Sequence, residues 1–211
     1  MSEAHARVLA QHRGLWLIEG PRLVPARGRL ALTPVTGDYV EVDAGGAIAR
    51  VLPRAGTVIR RAAGRAPREQ VLAANVDLAL VVEPLPAYKP RRADRLAALA
   101  EAGGVPWELV LTKADLGGEA AGLAVSAVTH EGLDAVRAVL RPGTTTVLLG
   151  ASGAGKSTLV NALLGEERQA TRAIRASDGR GRHTTTTRTL LELPNGAYVI
   201  DTPGLREIAV R

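Results

Sequence analysis

"TVLLGASGAGKSTLVNALLG" (residues 146–165) joins an apolar run to a glycine-rich turn and then to apolar residues at helical spacing. Residues 150–157, "GASGAGKS", match the pattern G-x-x-x-x-G-K-[ST] in full, in the strand-to-helix context the pattern requires. The glycines let the backbone of Gly150, Ala151, Ser152, Gly153, Ala154 and Gly155 curl, so that its N–H groups face inward at a phosphate. The helix N-terminus adds its dipole. Lys156 sets a point charge on the β- and γ-phosphate oxygens, Ser157 offers a hydroxyl to Mg²⁺, and Thr158 stands near the α-phosphate. The plain alternative is a glycine-rich turn with no ligand, and pattern and context together outweigh it. The loop does not by itself choose ATP or GTP.

That choice falls to "TKAD" (112–115), which ends the apolar run of "LVLTKADLGG" (109–118). Guanine presents N1–H and N2–H₂ as adjacent donors, and the Asp115 carboxylate accepts both. Adenine presents a lone pair at N1, which a carboxylate repels. Each charge-assisted hydrogen bond is worth about 1.5–3 kcal/mol, and the wrong base leaves the charge unpaired. Thr112, Lys113 and Ala114 complete this loop, with the aliphatic stem of Lys113 free to pack on the base plane. "VSA" (125–127) ends the next strand, where Ser126 is a further nucleotide-binding candidate and the backbone N–H of Ala127 is placed to meet guanine O6. Taken alone, "VSA" would be no more than a strand end.

Two further stretches complete a nucleotide switch. "DTPG" (201–204) follows the apolar "AYVI". Asp201 would hold Mg²⁺ through water, and the Gly204 N–H would meet the γ-phosphate. "GRGRHTTTTR" (179–188) lies between the phosphate-loop helix and the last two strands. One of its threonines, Thr185 or Thr186, is expected to complete the Mg²⁺ shell and to release it when the γ-phosphate leaves.

From residue 75 onward strands alternate with helices. "NVDLALVVEP", "PWELVLT", "GLAVSA" and "TTTVLLG" read as strands, and "TRTLLELPNGAYVID" as two more around a Pro-Asn-Gly turn. "RRADRLAALAEAGG", "EGLDAVRAVL" and "KSTLVNALLG" read as helices, the first spaced on Leu96, Leu99 and Ala100 and closed by Gly103 and Gly104. Six strands alternating with helices predict an α/β sheet with helices on both faces.

Residues 1–70 read differently, as about five short strands between turn signals: "ARVLAQHRGLWLIEG" broken at Gly14 and Gly20, "GDYVEVD" with Val40 and Val42 on one face, "GGAIARVLPR" and "GTVIRR". A small all-β barrel follows, of OB-fold or SH3-like type. "AAGRAPREQ" (62–70) is expected as the linker. This segment holds eleven arginines against six acidic residues, so it carries +5 of the chain's net +6. A basic module of this kind suits a polyanion, RNA foremost; a solvated basic surface is the bland alternative. The chain has no Cys, so it offers neither disulfides nor thiolate metal sites. It shows neither a signal-peptide pattern nor an apolar run of membrane-spanning length. A soluble, cytoplasmic protein is expected.

With these motifs in place, the sequence resembles the circularly permuted GTPases, and among them the ribosome small-subunit-dependent GTPase A family (RsgA, also called YjeQ). "LAANVD", "LTKADL", "GASGAGKSTLVNALLG", "GRGRHTTTTR" and "DTPGLRE" carry the resemblance, in permuted order with the base reader ahead of the phosphate loop. It implies an N-terminal OB-fold and a GTPase that binds the small ribosomal subunit late in its maturation. It also implies a C-terminal zinc-binding domain, which this chain, ending at Arg211 with no Cys, is expected to lack, so zinc is not expected here. Thr112 stands where most relatives carry Asn. Leu205 occupies the place of the water-orienting Gln of Ras-type enzymes, and His183, matched by a His in relatives, is the expected substitute beside Lys156 as a catalytic residue.

The expectation is therefore an OB-fold barrel over residues 1–70, RNA-binding, followed by an α/β circularly permuted P-loop GTPase domain over 71–211. It would hydrolyse GTP to GDP with Mg²⁺ as cofactor and act as a monomer on the 30S subunit and its 16S rRNA, away from membranes. Two alternatives stay open. One is a P-loop ATPase or small-molecule kinase in which "TKAD" is accidental; the other is a non-hydrolysing, GTP-gated RNA-binding protein.

Overall fold

The computed structural model describes residues 4–62, 68–119, 121–165 and 188–202. Its centre is β11 (Thr145–Leu149), whose five residues are all buried. A strand covered on both faces has no polar side to alternate with, which is why it reads as an unbroken apolar run. β11 lies parallel to β8 (Leu78–Pro84) on one side and to β13 (Tyr198–Asp201) on the other. Beyond β8 come β9 (Trp107–Thr112) and β10 (Leu123–Val125), both parallel. Beyond β13 comes the antiparallel β12 (Thr189–Glu192). All six strands expected after residue 75 are present.

The two faces of this sheet are covered differently. Leu80, Val82, Leu148 and Val199 pack under α2 (Leu133–Val139) and α3 (Lys156–Leu164). Ala79, Val81, Val147, Leu149 and Ile200 pack under α1 (Pro90–Glu101), which contributes Ala93, Leu96, Ala97 and Ala100. The alternation of neighbouring residues between faces is the period-2 geometry of a strand. Pro90 starts α1 with its φ already helical. At the other end, a Cβ on Gly103 would stand 1.6 Å from the Thr57 carbonyl oxygen, so only glycine lets the helix terminus approach that strand. Truncating the fully packed Leu96 to Ala would cost about 2–5 kcal/mol. No helix among the described residues is long and apolar enough to cross a membrane.

The N-terminal part contains β1 (Ala4–His12), β2 (Leu15–Ile18), β3 (Arg22–Pro25), β4 (Tyr39–Val42), β5 (Ile48–Val51), β6 (Thr57–Ala62) and β7 (Arg68–Ala74). β1 pairs with β2 and with β4, β2 with β3, and β4 with β5, all antiparallel. A parallel bridge between Ala26, just past β3, and Ile48 of β5 returns the pairings to their start. Val8, Trp16, Ile18, Val24, Val40 and Ile48 fill the interior, and the Trp16 indole N–H donates to the Pro34 carbonyl at 2.9 Å. The architecture is thus a mixed α/β sheet with an N-terminal β region.

β3 and β7 have no counterpart in the sequence-based expectation. The sequence reads 62–70 as a linker, yet residues 68–70 belong to β7, which pairs antiparallel with β6 over 57–74; the pair covers the α1 face of the sheet through Val58 of β6 and Leu72 and Ala73 of β7. The expected boundary at 70/71 falls inside that strand. The pairing of backbone groups overrides the Arg- and Ala-rich composition that suggested a linker.

One side chain binds the N-terminal strands to the central parallel sheet. Arg7 of β1 is only 2 % exposed. Its guanidinium lies 5.1 Å from the Tyr39 ring centroid and 4.9 Å from that of Tyr198, and it donates to the Thr145 hydroxyl. Two π-faces and a hydroxyl, rather than a carboxylate, offset the desolvation of this cation. β1 also pairs directly with β12, Ala10 opposite Thr189.

Candidate nucleotide site

The C-terminal ends of β8, β9, β10, β11 and β13 point the same way, as parallel strands must, and the loops that leave them converge. In open α/β sheets ligands bind at this edge. The loop after β11 turns immediately. A Cβ on Gly150 would meet the Val82 carbonyl oxygen at 2.5 Å, so glycine is required where the loop crosses β8. The chain then passes Ala151, Ser152, Gly153, Ala154 and Gly155 and enters α3, with Leu159 N–H bonded to Gly155 C=O at 2.8 Å. Thr158, in the first turn of α3, is exposed.

The charged groups of the loop are turned inward. Lys156 Nζ donates to Gly150 O at 2.8 Å and to Ala151 O at 2.9 Å, and the residue is 5 % exposed. Burial pulls its pKa below the usual lysine value, while the carboxylates of Asp201 and Glu83 push the other way. Ser157 Oγ donates to Asp201 Oδ2 at 3.1 Å, bringing the first turn of α3 onto the end of β13. Thr202, next along, donates to the Leu148 carbonyl at 2.6 Å and fixes that strand end against β11.

The expected base reader sits beside this loop. Thr112, the last residue of β9, is buried, and its hydroxyl donates to Ala154 O at 2.6 Å. The chain then reverses through Lys113, which adopts a left-handed conformation (φ 60°, ψ 38°) unusual for a residue with a Cβ. A short turn of 3-10 helix over residues 114–116 leaves Lys113 and Asp115 exposed and Ala114 half-buried. On the neighbouring strand end Val125 is in register with Thr112, which sets Ser126 and Ala127 beside Lys113 and Ala114. Ser126 is fully buried, and its Oγ accepts from Val128 N–H at 3.2 Å and Thr129 N–H at 3.0 Å, holding the loop closed.

Thr112, Lys113, Ala114, Asp115, Ser126, Ala127, the loop 150–158 and Asp201 thus share one edge of the sheet. His183, Thr185, Thr186 and Gly204 lie outside the described residues. Glu83 has no part in the motifs above. It ends the apolar run of β8, is fully buried, and holds Arg92 of α1 in a two-pronged pair, Nε to Oε1 at 2.6 Å and Nη2 to Oε2. An acid closing an otherwise apolar strand was the available signal.

Known proteins match this arrangement. Residues 51–211 match the family model described as RsgA GTPase. The chain is 44% identical to the small ribosomal subunit biogenesis GTPase RsgA of Xylella fastidiosa strain M23, over 96% of this chain and 69% of that protein. It is 41% identical to the protein of that name from Xanthomonas campestris pv. campestris strain B100, over 96% of this chain and 63% of that one. Among solved structures, YjeQ from Thermotoga maritima superposes with a TM-score of 0.68 at 26% identity, covering 99% of this chain and 77% of YjeQ. The circularly permuted GTPase YloQ superposes with a TM-score of 0.60 at 20% identity, over 98% of this chain and 73% of YloQ, a likeness of fold. With a family match over most of its length and relatives above 40% identity, the chain belongs to the RsgA GTPase family.

Proposed function

We propose that this chain binds GTP along the edge described above, hydrolyses it, and assists late maturation of the small ribosomal subunit, on which it contacts 16S rRNA. The observation that carries the reading is the Thr112–Ala154 hydrogen bond, which ties a carboxylate-bearing base loop to a complete phosphate loop.

Asp115, exposed at the strand end, accepts the two donors of guanine, Lys113 packs its stem on the base, and the Ala127 N–H meets O6. The backbone of residues 150–155 cradles the β-phosphate, and Thr158 lies near the α-phosphate. Phosphate oxygens replace Gly150 O and Ala151 O as partners of Lys156, whose burial strengthens that attraction. Ser157 Oγ and the buried Asp201 carboxylate form an all-oxygen pair of the kind a hard divalent cation prefers, so the residues present fit Mg²⁺. Thr185 or Thr186 completes the set. When bound, the cation supplies positive charge at the β- and γ-phosphate oxygens. The Gly204 N–H senses the γ-phosphate, and His183 orients the attacking water.

Residues 1–70 supply the RNA-binding part, with the five strands β1–β5 as an OB-type barrel ahead of a permuted GTPase domain over 71–211. The ring of pairings closed at Ala26–Ile48 and the +5 charge support this. The test of the base assignment is competition binding with wild type and Asp115→Asn. GTP and GDP should displace a labelled guanine nucleotide from wild type while ATP does not, and the variant should prefer xanthosine nucleotides. Equal competition by ATP, or unchanged GTP affinity in the variant, overturns the assignment.

A further inference from the structure

We infer that a cleft at the joint between the N-terminal strands and β12 is a phosphate site, with Arg188 as its cation and an RNA backbone phosphodiester as its ligand. The cleft has a volume of about 370 Å³ and is lined by Gln11, Thr33, Thr36, Glu69, Gln70 and Arg188, among others. Arg188 stands at the end of the sheet where Thr189 of β12 lies opposite Asp201 of β13. Arg188 directly precedes β12, and β12 meets β1 through Thr189 and Ala10. This is the one described strand pairing between β1–β5 and the nucleotide-binding sheet.

Arg188 is a cation without a counter-charge. It is half-buried, and its Nε is out of reach of solvent with no hydrogen-bond partner. Among the described residues it makes no ion pair, and Glu69, although it lines the cleft, does not reach it. Burial and the neighbouring Arg60 both push its pKa down. Arg60 is steered into place by its own Nε, which donates to Gln70 Oε1 at 3.0 Å. A guanidinium cannot escape desolvation by losing its proton. A half-buried guanidinium that lines the cleft, makes no ion pair with Glu69 and feels the like charge of Arg60 is stabilised by an anion.

The remaining donors match phosphate. Guanidinium forks suit its tetrahedral oxygens, and Gln11, Gln70 and Thr33 add neutral donors around the rim. Thr36 takes a structural part, its hydroxyl donating to the Arg188 carbonyl at 3.3 Å. The half-open volume exceeds what one free anion fills and suits a phosphodiester with its sugar. The wall formed by the N-terminal strands belongs to the segment that carries +5. The inference rests on the RNA-binding reading above and adds to it the place of one contact.

The test uses the full chain. Binding of a fluorescein-labelled 16S rRNA transcript is followed by anisotropy across a potassium chloride series for wild type, Arg188→Gln and Arg188→Lys. Melting temperature and GDP affinity are measured alongside. One lost phosphate contact lowers the salt slope by about 0.7–0.9. Arg188→Gln should show that decrease and bind several-fold more weakly at low salt; Arg188→Lys should keep the slope; GDP affinity should be the same in all three. An Arg188→Gln variant that matches wild type in slope and affinity overturns the site as an RNA contact. If wild type itself shows no salt-dependent RNA binding, the RNA reading falls too, and inorganic phosphate decides the rest. A saturable shift of the Arg188 Nε–H resonance with phosphate would then leave an anion site with a free anion as ligand, and no shift would remove the site altogether.

Discussion

The Thr112 hydroxyl donates a 2.6 Å hydrogen bond to the carbonyl of Ala154, across 42 residues of sequence, and so joins the end of β9, which bears the proposed base reader, to the glycine-rich loop after β11. The tie is made by a single side-chain hydroxyl. Replacing Thr112 with Val keeps the shape and leaves the Ala154 carbonyl without its partner, at a cost of about 1–3 kcal/mol. Thr112→Val should therefore lower the melting temperature by several degrees and weaken guanine nucleotide binding several-fold. Calorimetry and GDP titration check both, and a variant with wild-type affinity would show that base and phosphate loops are held together elsewhere.

Arg7 makes a second prediction, on stability. Its truncation removes two ring contacts and the bond to Thr145, which joins β1 to the strand leading into the phosphate loop. Arg7→Ala should destabilise by about 2–4 kcal/mol. Arg7→Lys, which keeps the charge but loses the planar stack, should recover only part of that. Denaturant unfolding reads both, and an Arg7→Ala loss below that of an ordinary surface substitution would contradict the account.

Lys156 couples nucleotide binding to protons. In the free protein burial holds its pKa below the ordinary lysine value. A depressed lysine loses its proton before the unfolded chain does, so this group favours folding increasingly as pH rises through the folded pKa towards the unfolded one, and disfavours it below. Bound phosphate favours the protonated form. GDP binding around pH 9 should therefore take up protons, measured by titration calorimetry in buffers of different ionisation enthalpy. Lys156→Gln should lose the uptake. Proton release by wild type would contradict the assignment.

In the proposed mechanism His183 takes the place of the glutamine that Leu205 does not supply. His183→Ala should lower stimulated GTP turnover at least tenfold, about 1.4 kcal/mol of barrier or more, with GTP affinity near that of wild type. Full turnover in the variant would assign the water to another group.

The parts of the site that follow from local chain geometry were legible in the sequence. The eight residues from Gly150 to Ser157 specify a backbone path, and "TKAD" and "VSA" are strand ends whose positions follow from apolar runs. All six strands and three helices of the sheet were readable for the same reason. The parts missed are tertiary. β7 carries no alternation that composition could reveal, and its strand character comes from pairing with β6. Glu83 finds Arg92 only because α1 folds back over β8. Arg7 meets Thr145 across 138 residues. No local period encodes such contacts.

The most direct measurement is GTP turnover by the full chain, alone and with purified 30S subunits, with ATP in parallel. A guanine-selective switch in which Leu205 leaves the water poorly placed should hydrolyse GTP slowly by itself, accelerate strongly on 30S subunits, and leave ATP untouched. GTP turnover indifferent to 30S subunits, or ATP hydrolysed as readily as GTP, would contradict it.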